Sequence, residues 1–309
     1  MRRHVVPQHR PMEPMDMCAL KCVSVLRSGL GWLPDIPDDR DFTLESDPVK
    51  RLLRMLSRPT LGTASGKAEF DLREYFLEPE DQCGQNCSPV FACAGLVEYF
   101  QARSVGEHVR LAKPFLYHNA KRVQRIEGDC GVGIRATWKA LVRSGAPPEE
   151  LCLGSKPGRM AQEQDPFLFS YAPEYREMAY FRLDDRNVAG DAALRRIKAF
   201  LAAGFPCVLG FPVPPLLPVD PVIPFRFDGN VSCGGQAVIA VGYNDGLCYS
   251  VKGALVIRNS WGTGWGIDGY GYLPYDYVTR RLATDVWTIL RKDWIVSGDF
   301  GLPLLDEVL

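Results

Sequence analysis

The sequence predicts a protein of the α+β class, with a helical first half and a second half of mainly antiparallel strands that form a barrel. In the first half, Val90, Ala94 and Val97 recur at helical spacing on one apolar face. In the second half, two apolar runs bounded by glycines, at 236–243 and 253–261, are typical of buried strands. The 309 residues, 46% of them hydrophobic, suffice for one large domain or two closely packed ones.

The charge balance excludes several classes of partner. The chain carries 36 basic and 37 acidic residues without a basic block, so neither nucleic acid nor an anionic membrane is expected to bind. No apolar run reaches the roughly 18 to 20 residues of a membrane helix, and the chain begins with polar sequence. We therefore expect a cytoplasmic protein, and we expect neither a cofactor nor a metal.

Changes in composition divide the chain into four segments. We predict an N-terminal arm that continues as an extended segment, a helical domain, a strand-rich domain and a loose tail, at 1–69, 70–170, 171–296 and 297–309. The first 28 residues lack sustained periodicity, which is typical of a mobile arm.

Residues 31–42 are predicted to be extended because Pro34 and Pro37 disfavour helix in the residues before them. Four apolar side chains are predicted to anchor this segment to a preformed surface: Trp32, Leu33, Ile36 and Phe42. A loop rich in Gly, Ser and Thr at 60–67 then predicts a boundary.

Spacing and turn signals predict the remaining elements. The predicted helices are 48–56, 88–102, 111–121, 136–144 and 192–203, and a further buried strand is predicted at 204–211. The prolines between 212 and 224 predict a rigid loop, since each proline fixes its own φ.

Three short stretches carry the candidate chemistry. They are DQCGQNCSPVFA at 81–92, CGGQAV at 233–238 and RNSWG at 258–262. Together they resemble the active-site segments of the papain-like cysteine peptidases, and the lead-in at 31–42 resembles that of bacterial members. The resemblance covers roughly residues 31–290 and implies the two-domain fold of that family, in which a helical left domain packs on a β-barrel right domain.

The resemblance also implies roles for individual residues. Gln82 matches the glutamine that supplies a donor to the oxyanion hole, and counting six residues forward without a gap puts Ser88 at the nucleophile's position. Gln236 stands where the family has its general-base histidine, and Asn259 stands where the family has the asparagine that orients the imidazole. An alternative register makes Cys87 the nucleophile, but it needs one deletion and one insertion.

Ser88 also has a purely structural interpretation. Serine is favoured as an N-cap and proline at the first helical position, so Ser88 followed by Pro89 predicts the start of a central core helix without any chemistry. Cys87, at the same helix N-terminus, is expected to be somewhat acidified and to be a reactive or redox thiol.

The groups needed for hydrolysis are missing in the gapless register. A thiol or hydroxyl nucleophile needs a base, and the amide of Gln236 cannot take up a proton near neutral pH. The second half of the chain contains no histidine, since the four histidines are His4, His9, His108 and His118. His118 is expected to be a packed or surface residue rather than a substitute base.

We therefore predict a pseudopeptidase that keeps the fold and the cleft of the family and binds a peptide or protein partner there without hydrolysing it. The alternative is an active cysteine peptidase or hydrolase that uses Cys87 or Ser88 in another arrangement. A third possibility, a structural subunit, would have a cleft filled by the chain's own N-terminal arm. The ten cysteines leave disulfides open, with Cys83, Cys87 and Cys130 as candidates.

Overall fold

In the computed structural model, helices dominate the first half of the chain and antiparallel strands the second, as the sequence predicts. The structure describes residues 29–56, 67–152, 165–173, 175–215, 221–225, 232–247, 252–297 and 300. Four predicted features lie outside these residues wholly or in large part: the N-terminal arm, the loop at 60–67, the middle of the proline-rich loop and the tail.

The described residues contain seven α-helices. They are α1 (Asp47–Leu53), α2 (Ser88–Val105), α3 (Lys113–Gln124), α4 (Ile134–Ser144), α5 (Gly190–Ala202), α6 (Tyr275–Thr279) and α7 (Lys292–Ser297). The five predicted helices correspond to α1 to α5, with ends that differ by a few residues. None of these seven helices is both long and apolar enough to span a membrane.

Seven strands form a single antiparallel sheet. They are β1 (Glu69–Asp71), β2 (Ala179–Arg182), β3 (Cys207–Pro212), β4 (Gly235–Asn244), β5 (Ala254–Arg258), β6 (Tyr270–Pro274) and β7 (Thr284–Leu290). The order is β2-β7-β3-β4-β5-β6, and β1 pairs with the second part of β4. Because β1 lies early in the chain and joins the late sheet, the first half is tied directly to the second. The predicted domain boundaries stay a prediction.

Helix α2 runs through the centre of the core and positions the candidate site. Every residue from Ser88 to Phe100 is buried, because the helix is apolar or small on nearly every side. The helix ends at Gly106, whose φ of +73° is the left-handed conformation that favours glycine as a helix terminator. It packs against β4, so the start of the helix lies beside the start of that strand.

A buried ion pair fixes α2 to α3. Lys113 Nζ lies 2.8 Å from Glu98 Oε1 and 2.7 Å from Glu80 Oε2, and Glu98 also accepts the backbone N–H of Leu111 at 2.8 Å. Burial alone lowers the pKa of Lys113, but the two carboxylates outweigh it and the pKa is raised. The lysine is therefore charged in the core, where it balances the negative charges of Glu98 and Glu80.

We expect Lys113→Ala to lower the free energy of unfolding by about 3–5 kcal/mol, because it leaves the buried charge of Glu98 without its partner. The matched control is Lys50→Ala, which breaks an exposed pair with Glu45 and should cost less than about 1 kcal/mol. Urea denaturation of the three proteins measures both values. Equal losses in the two variants would contradict the structural role of the buried pair.

Candidate functional site

The three motifs meet at one end of the sheet. Strands β4 and β5 are antiparallel neighbours, so the start of β4 lies beside the end of β5. This pairing brings Gln236, the second residue of β4, to Asn259 and Ser260, which directly follow β5. The side chains of all three are buried.

Gln82 joins this group from the loop before α2. Its backbone N–H donates to the carbonyl of Ser260 at 2.9 Å, which fixes the loop against the end of β5. Its side-chain Oε1 accepts from Gln236 Nε2 at 3.1 Å and from the hydroxyl of Ser260 at 2.5 Å. Its Nε2 donates to the carbonyl oxygens of Leu30 at 2.8 Å and Gln85 at 2.5 Å.

Gln236 makes the hydrogen bond to Asn259 that the resemblance assigns to an imidazole. Its Nε2 donates to Asn259 Oδ1 at 2.8 Å, and the same oxygen accepts the backbone N–H of Ser260. Within the described part of the chain, Gln236 Oε1 and Asn259 Nδ2 have no hydrogen-bond partner. The cluster of Gln82, Gln236, Asn259 and Ser260 therefore consists of neutral amides and a hydroxyl, and none of these groups can accept a proton near neutral pH.

Ser88 does not cap α2 in the way the sequence suggested. The N-cap position belongs to Cys87, and Ser88 is the first helical residue. The hydroxyl of Ser88 instead accepts the backbone N–H of Ala237 at 3.0 Å, across the interface between α2 and β4. The prediction of an N-cap was wrong by one position because the strand offers this buried hydroxyl a donor.

Residues 29–42, which we call the strap, pass directly over the cluster. The carbonyl oxygen of Leu30 accepts the backbone N–H of Ser88 at 3.1 Å and Nε2 of Gln82 at 2.8 Å. Two convergent donors on one carbonyl oxygen are the arrangement of an oxyanion hole. The chain's own peptide group therefore occupies the hole that the resemblance implies.

Main-chain hydrogen bonds continue on both sides of this carbonyl. The N–H groups of Gly31 and Trp32 both donate to the carbonyl of Gly235 at 3.0 Å. On the opposite wall, Val132 donates to the carbonyl of Gly31 at 2.9 Å and accepts from Leu33 at 3.1 Å. The strap is thus held between the start of β4 and the turn before α4 in the way a bound peptide pairs with strand edges.

Two of the four predicted anchors of this segment do not act as anchors. Trp32 is buried, and Leu33 is half-buried, but 83% of Ile36 and 41% of Phe42 are exposed to solvent. The extended strap turns alternate side chains away from the protein, so apolar character alone did not identify the buried ones. Leu30, one residue before the predicted segment, is the second buried anchor.

Past Trp32 the strap is held by ion pairs. The guanidinium of Arg135 on α4 donates to both carboxylate oxygens of Asp41, while the backbone N–H of Arg135 donates to Asp35. Asp285 on β7 accepts the backbone N–H of Asp35 at 2.7 Å and a guanidinium N–H of Arg182 at 2.7 Å. Burial, and then the charge of Asp285, raise the pKa of Asp35 to about 7, although Arg135 and Arg182 act in the opposite direction.

Cys87 is a buried residue and not an acidified thiol. Burial, followed by the charge of Asp129 and the nearby Cys83, raises its pKa well above the usual value. A helix N-terminus lowers a thiol pKa by stabilising the thiolate, but loss of solvation is the larger effect here, so the expectation was wrong. Cys83, Cys87 and Cys130 are free thiols, whereas Cys233 is disulfide-bonded.

The two described histidines lie on segments that carry none of the three motifs. His108 is exposed in the connection between α2 and α3, and His118 is half-buried on α3. In the described ranges, no group of three or more His, Cys, Asp or Glu side chains is arranged to hold a metal ion.

Three residues of the site were not identified from the sequence, and they are Ser260, Leu30 and Asp285. Ser260 follows Asn259 directly, so its position in the same motif was an available signal. The glycines on either side of Leu30 were a signal for an unusual backbone, since both adopt positive φ. Asp285 offered no sequence signal, because its role arises only from the pairing of β7 with β3.

Comparison with known proteins gives matches at 27–28% sequence identity and further matches in fold at lower identity. No protein-family model matches the chain. A peptidase C1-like protein of Acanthamoeba polyphaga mimivirus is 27% identical over 293 residues, which cover 86% of this chain and 88% of the relative. Xylellain, a cysteine protease from Xylella fastidiosa, is 28% identical with a TM-score of 0.68 over 86% of this chain and 97% of its own.

Two proenzymes share the fold at lower identity. Procathepsin L 3 of the Tenebrio molitor larval midgut is 16% identical with a TM-score of 0.57, covering 90% of this chain and 79% of its own. Procathepsin B S9 of Trypanosoma congolense is 19% identical with a TM-score of 0.58, covering 87% and 88%. These likenesses extend over the helices and the sheet together.

We expect the stability of the folded protein to depend on Asp35 between about pH 4 and pH 7. Because the folded pKa is raised to about 7 from 3.8, the folded state keeps a proton that the unfolded chain releases in this window. This contribution is complete below the window and is lost as the pH rises through it. Asp35→Asn removes the dependence, so the variant should gain stability relative to the unmodified protein between pH 5 and pH 8.

The measurement is the difference in free energy of unfolding between variant and unmodified protein at the two pH values. Asp268→Asn, at an exposed position outside the ion-pair cluster, is the control and should give the same difference at both. A pH-independent difference for Asp35→Asn would show that this carboxyl is charged throughout.

Alkylation with iodoacetamide at pH 8 should separate the three free thiols of the loops around the site. Cys83 and Cys130 are exposed and should react in the native protein, whereas Cys87 is buried with a raised pKa and should react more than ~10-fold slower. Peptide mapping by mass spectrometry gives the rates, and labelling in urea is the control in which all three react. Labelling of Cys87 as fast as Cys83 in the native protein would restore the reactive-thiol hypothesis.

Proposed function

We propose that this chain, which is similar in sequence and fold to papain-like cysteine peptidases, lacks peptidase activity and holds an extended peptide in its cleft. The observation that carries this proposal is the position of the Leu30 carbonyl between two hydrogen-bond donors. Its oxygen accepts from Ser88 N and Gln82 Nε2, while neutral side chains occupy the positions of nucleophile and base. A peptide is held in the reacting position, and the groups that would cleave it are replaced.

The absence of activity follows from the chemistry of those groups. An alcohol needs a base to become a nucleophile, and removing one member of a catalytic triad lowers the rate by several orders of magnitude. The Ser88 hydroxyl accepts from Ala237, and the nearest replacement for the imidazole is the Gln236 amide, which is bonded to Asn259. Proton transfer from a serine to an amide is not available at neutral pH.

The peptide-binding half of the proposal rests on how the strap is held. Its backbone pairs with Gly235 on one wall and Val132 on the other, and this mode of recognition accepts any extended chain with suitable side chains. We propose that a peptide or protein partner binds by taking the place of the strap. Retention of Gln82 as a donor then serves binding, because that donor holds a carbonyl whether or not the carbonyl is attacked.

A second candidate is a structural subunit whose cleft is permanently closed. The specific observation in its favour is the same strap, which satisfies the cleft with residues of the chain itself. The two candidates differ in whether the strap exchanges with a peptide in solution. A working hydrolase that uses Cys87 has less support, because that thiol is buried with a raised pKa.

We expect the unmodified protein to hydrolyse no member of a mixed peptide library. The double variant Ser88→Cys with Gln236→His restores a thiol and an imidazole beside the oxyanion-hole donors and should gain turnover. The comparison is repeated with a second pair in which both proteins also carry Trp32→Ala. This substitution loosens the strap equally in each, in case the strap blocks access to the site. Product formation is measured by mass spectrometry.

The control for the alternative nucleophile is Cys87→Ala in the otherwise unmodified chain. Turnover by the unmodified protein that disappears in this variant would overturn the proposal in favour of a cysteine peptidase. Turnover by the unmodified protein that disappears in Ser88→Ala would assign the reaction to the hydroxyl.

A further inference from the structure

Trp32 lies in a seat that two strand glycines make possible. A Cβ atom on Gly210 in β3 would be 2.0 Å from Cε2 of the indole, and one on Gly235 in β4 would be 2.7 Å from its Cε3. Glycine weakens the interior of a strand and marks the close approach of another group. Here the group that approaches is the indole ring of Trp32.

Asp285 completes the seat with a hydrogen-bond acceptor. Its Oδ2 accepts the indole N–H of Trp32 at 3.0 Å, in a position where only 2% of the aspartate is exposed. Asp285 has φ of +54°, and β7 contains one extra residue opposite β3 between the pairs Val208–Trp287 and Gly210–Thr284. Such a bulge redirects a side chain. The bulge aims the carboxylate at the indole that lies over Gly210.

Two other tryptophans of the core have no acceptor in the described part of the chain, although the indole N–H of Trp261 donates to the carbonyl of Gly29 at 2.9 Å. The indole N–H groups of Trp138 and Trp287 are buried and have no hydrogen-bond partner within the described residues. A tryptophan that only fills space in this protein is therefore tolerated without an acceptor. At Trp32, in contrast, a positive φ, a bulge and two glycines all serve one side chain.

The two residues that flank Leu30 are equally restricted. Gly29 and Gly31 have φ of +77° and +119°, and a Cβ on them would lie 2.3 Å from the oxygen of Gln85 and 2.2 Å from the carbonyl carbon of Asn86. Any side chain at either place would collide with backbone, which cannot move aside as a flexible side chain can. The loop before α2 therefore accepts only glycine there.

We propose that the cleft is specific for an extended Gly-Leu-Gly-Trp segment and that Asp285 and Gly210 are the residues that select its tryptophan. This rests on the proposed function, in which the cleft binds a peptide. The strap fills the cleft with this sequence, and a partner protein that replaces the strap offers a segment of the same chemistry. Phenylalanine fits the seat but has no N–H for the buried carboxylate, which then keeps only its bonds from Asp35 and Arg182 among the described residues.

The test uses the full chain with Trp32→Ala, which empties the indole seat and leaves the ion pairs of Asp41 in place. The probe is acetyl-Gly-Leu-Gly-Trp-Leu-Pro-amide, and its matched control carries 1-methyltryptophan, which keeps the ring and removes the N–H. Isothermal titration calorimetry gives both affinities. We expect the Trp peptide to bind and the methylated peptide to bind about 10- to 100-fold more weakly, as expected for loss of a hydrogen bond to a charged group.

Each outcome separates this inference from the proposed function. Equal affinity for the two peptides would overturn the tryptophan selection and leave peptide binding intact. Binding of neither peptide would overturn both the selection and the binding role, and cleavage of a peptide would overturn the lack of activity. The Trp138→Ala chain, which opens a cavity away from the cleft, should bind neither peptide.

A second measurement covers the case in which Trp32→Ala does not fold. Trp32→Phe keeps most of the ring, and hydrogen exchange at the amides of Gly31, Trp32 and Leu33 reports opening of the strap, because these N–H groups bond to Gly235 and Val132. We expect exchange there to be at least about 10-fold faster in Trp32→Phe and unchanged in Trp138→Phe. Unchanged exchange in Trp32→Phe would overturn the proposed role of Asp285.

Discussion

The hydrogen bonds to the Leu30 carbonyl are the constraint on which the rest of the site depends. One donor, the N–H of Ser88, is available because the first N–H groups of a helix have no partner within the helix. The other, Gln82 Nε2, is aimed by bonds from its amide oxygen to Gln236 and Ser260. Both donors belong to the helical half, and the strand half orients one of them, so the strap is held where the two halves meet.

Electrical neutrality distinguishes this site from one that performs acid and base chemistry. A thiolate and imidazolium pair needs compensation for its charges when water is excluded, and a group of amides and hydroxyls does not. The strap covers the cluster, and Gln82, Gln236 and Asn259 are all nearly inaccessible to solvent. A neutral glutamine at position 236 therefore suits a cleft that is closed by a peptide, and it preserves the bond to Asn259 that holds the end of β5.

Sequence reasoning predicted which residues meet at the site but not that Leu30 lies over them, and the assignment of catalytic positions stays a prediction. Gln82, Ser88, Gln236 and Asn259 come together as the motifs implied, because each lies at the end of a regular element whose pairing fixes it. The occupancy by Leu30 depends on contacts more than 50 residues apart in the chain, which local patterns do not encode. Cys87 was misjudged because burial is a property of the folded chain, and burial outweighs the helix N-terminus.

Because the strap is part of the same chain, a partner must compete with it for the cleft. A segment of the same chain competes at an effective concentration on the order of millimolar, so a partner present at about 1 μM must bind roughly 1,000-fold more tightly than the strap to replace it. If the strap binds more weakly, the affinity that the partner needs falls by the same factor. The ion pairs of Asp35 and Asp41 with Arg135 lie at the far end of the strap from Leu30, and Asp35 has a pKa near neutrality. Asp35 is itself a strap residue, so its deprotonation sets a strap carboxylate against that of Asp285, and a rise in pH through neutrality weakens the hold on this end of the strap.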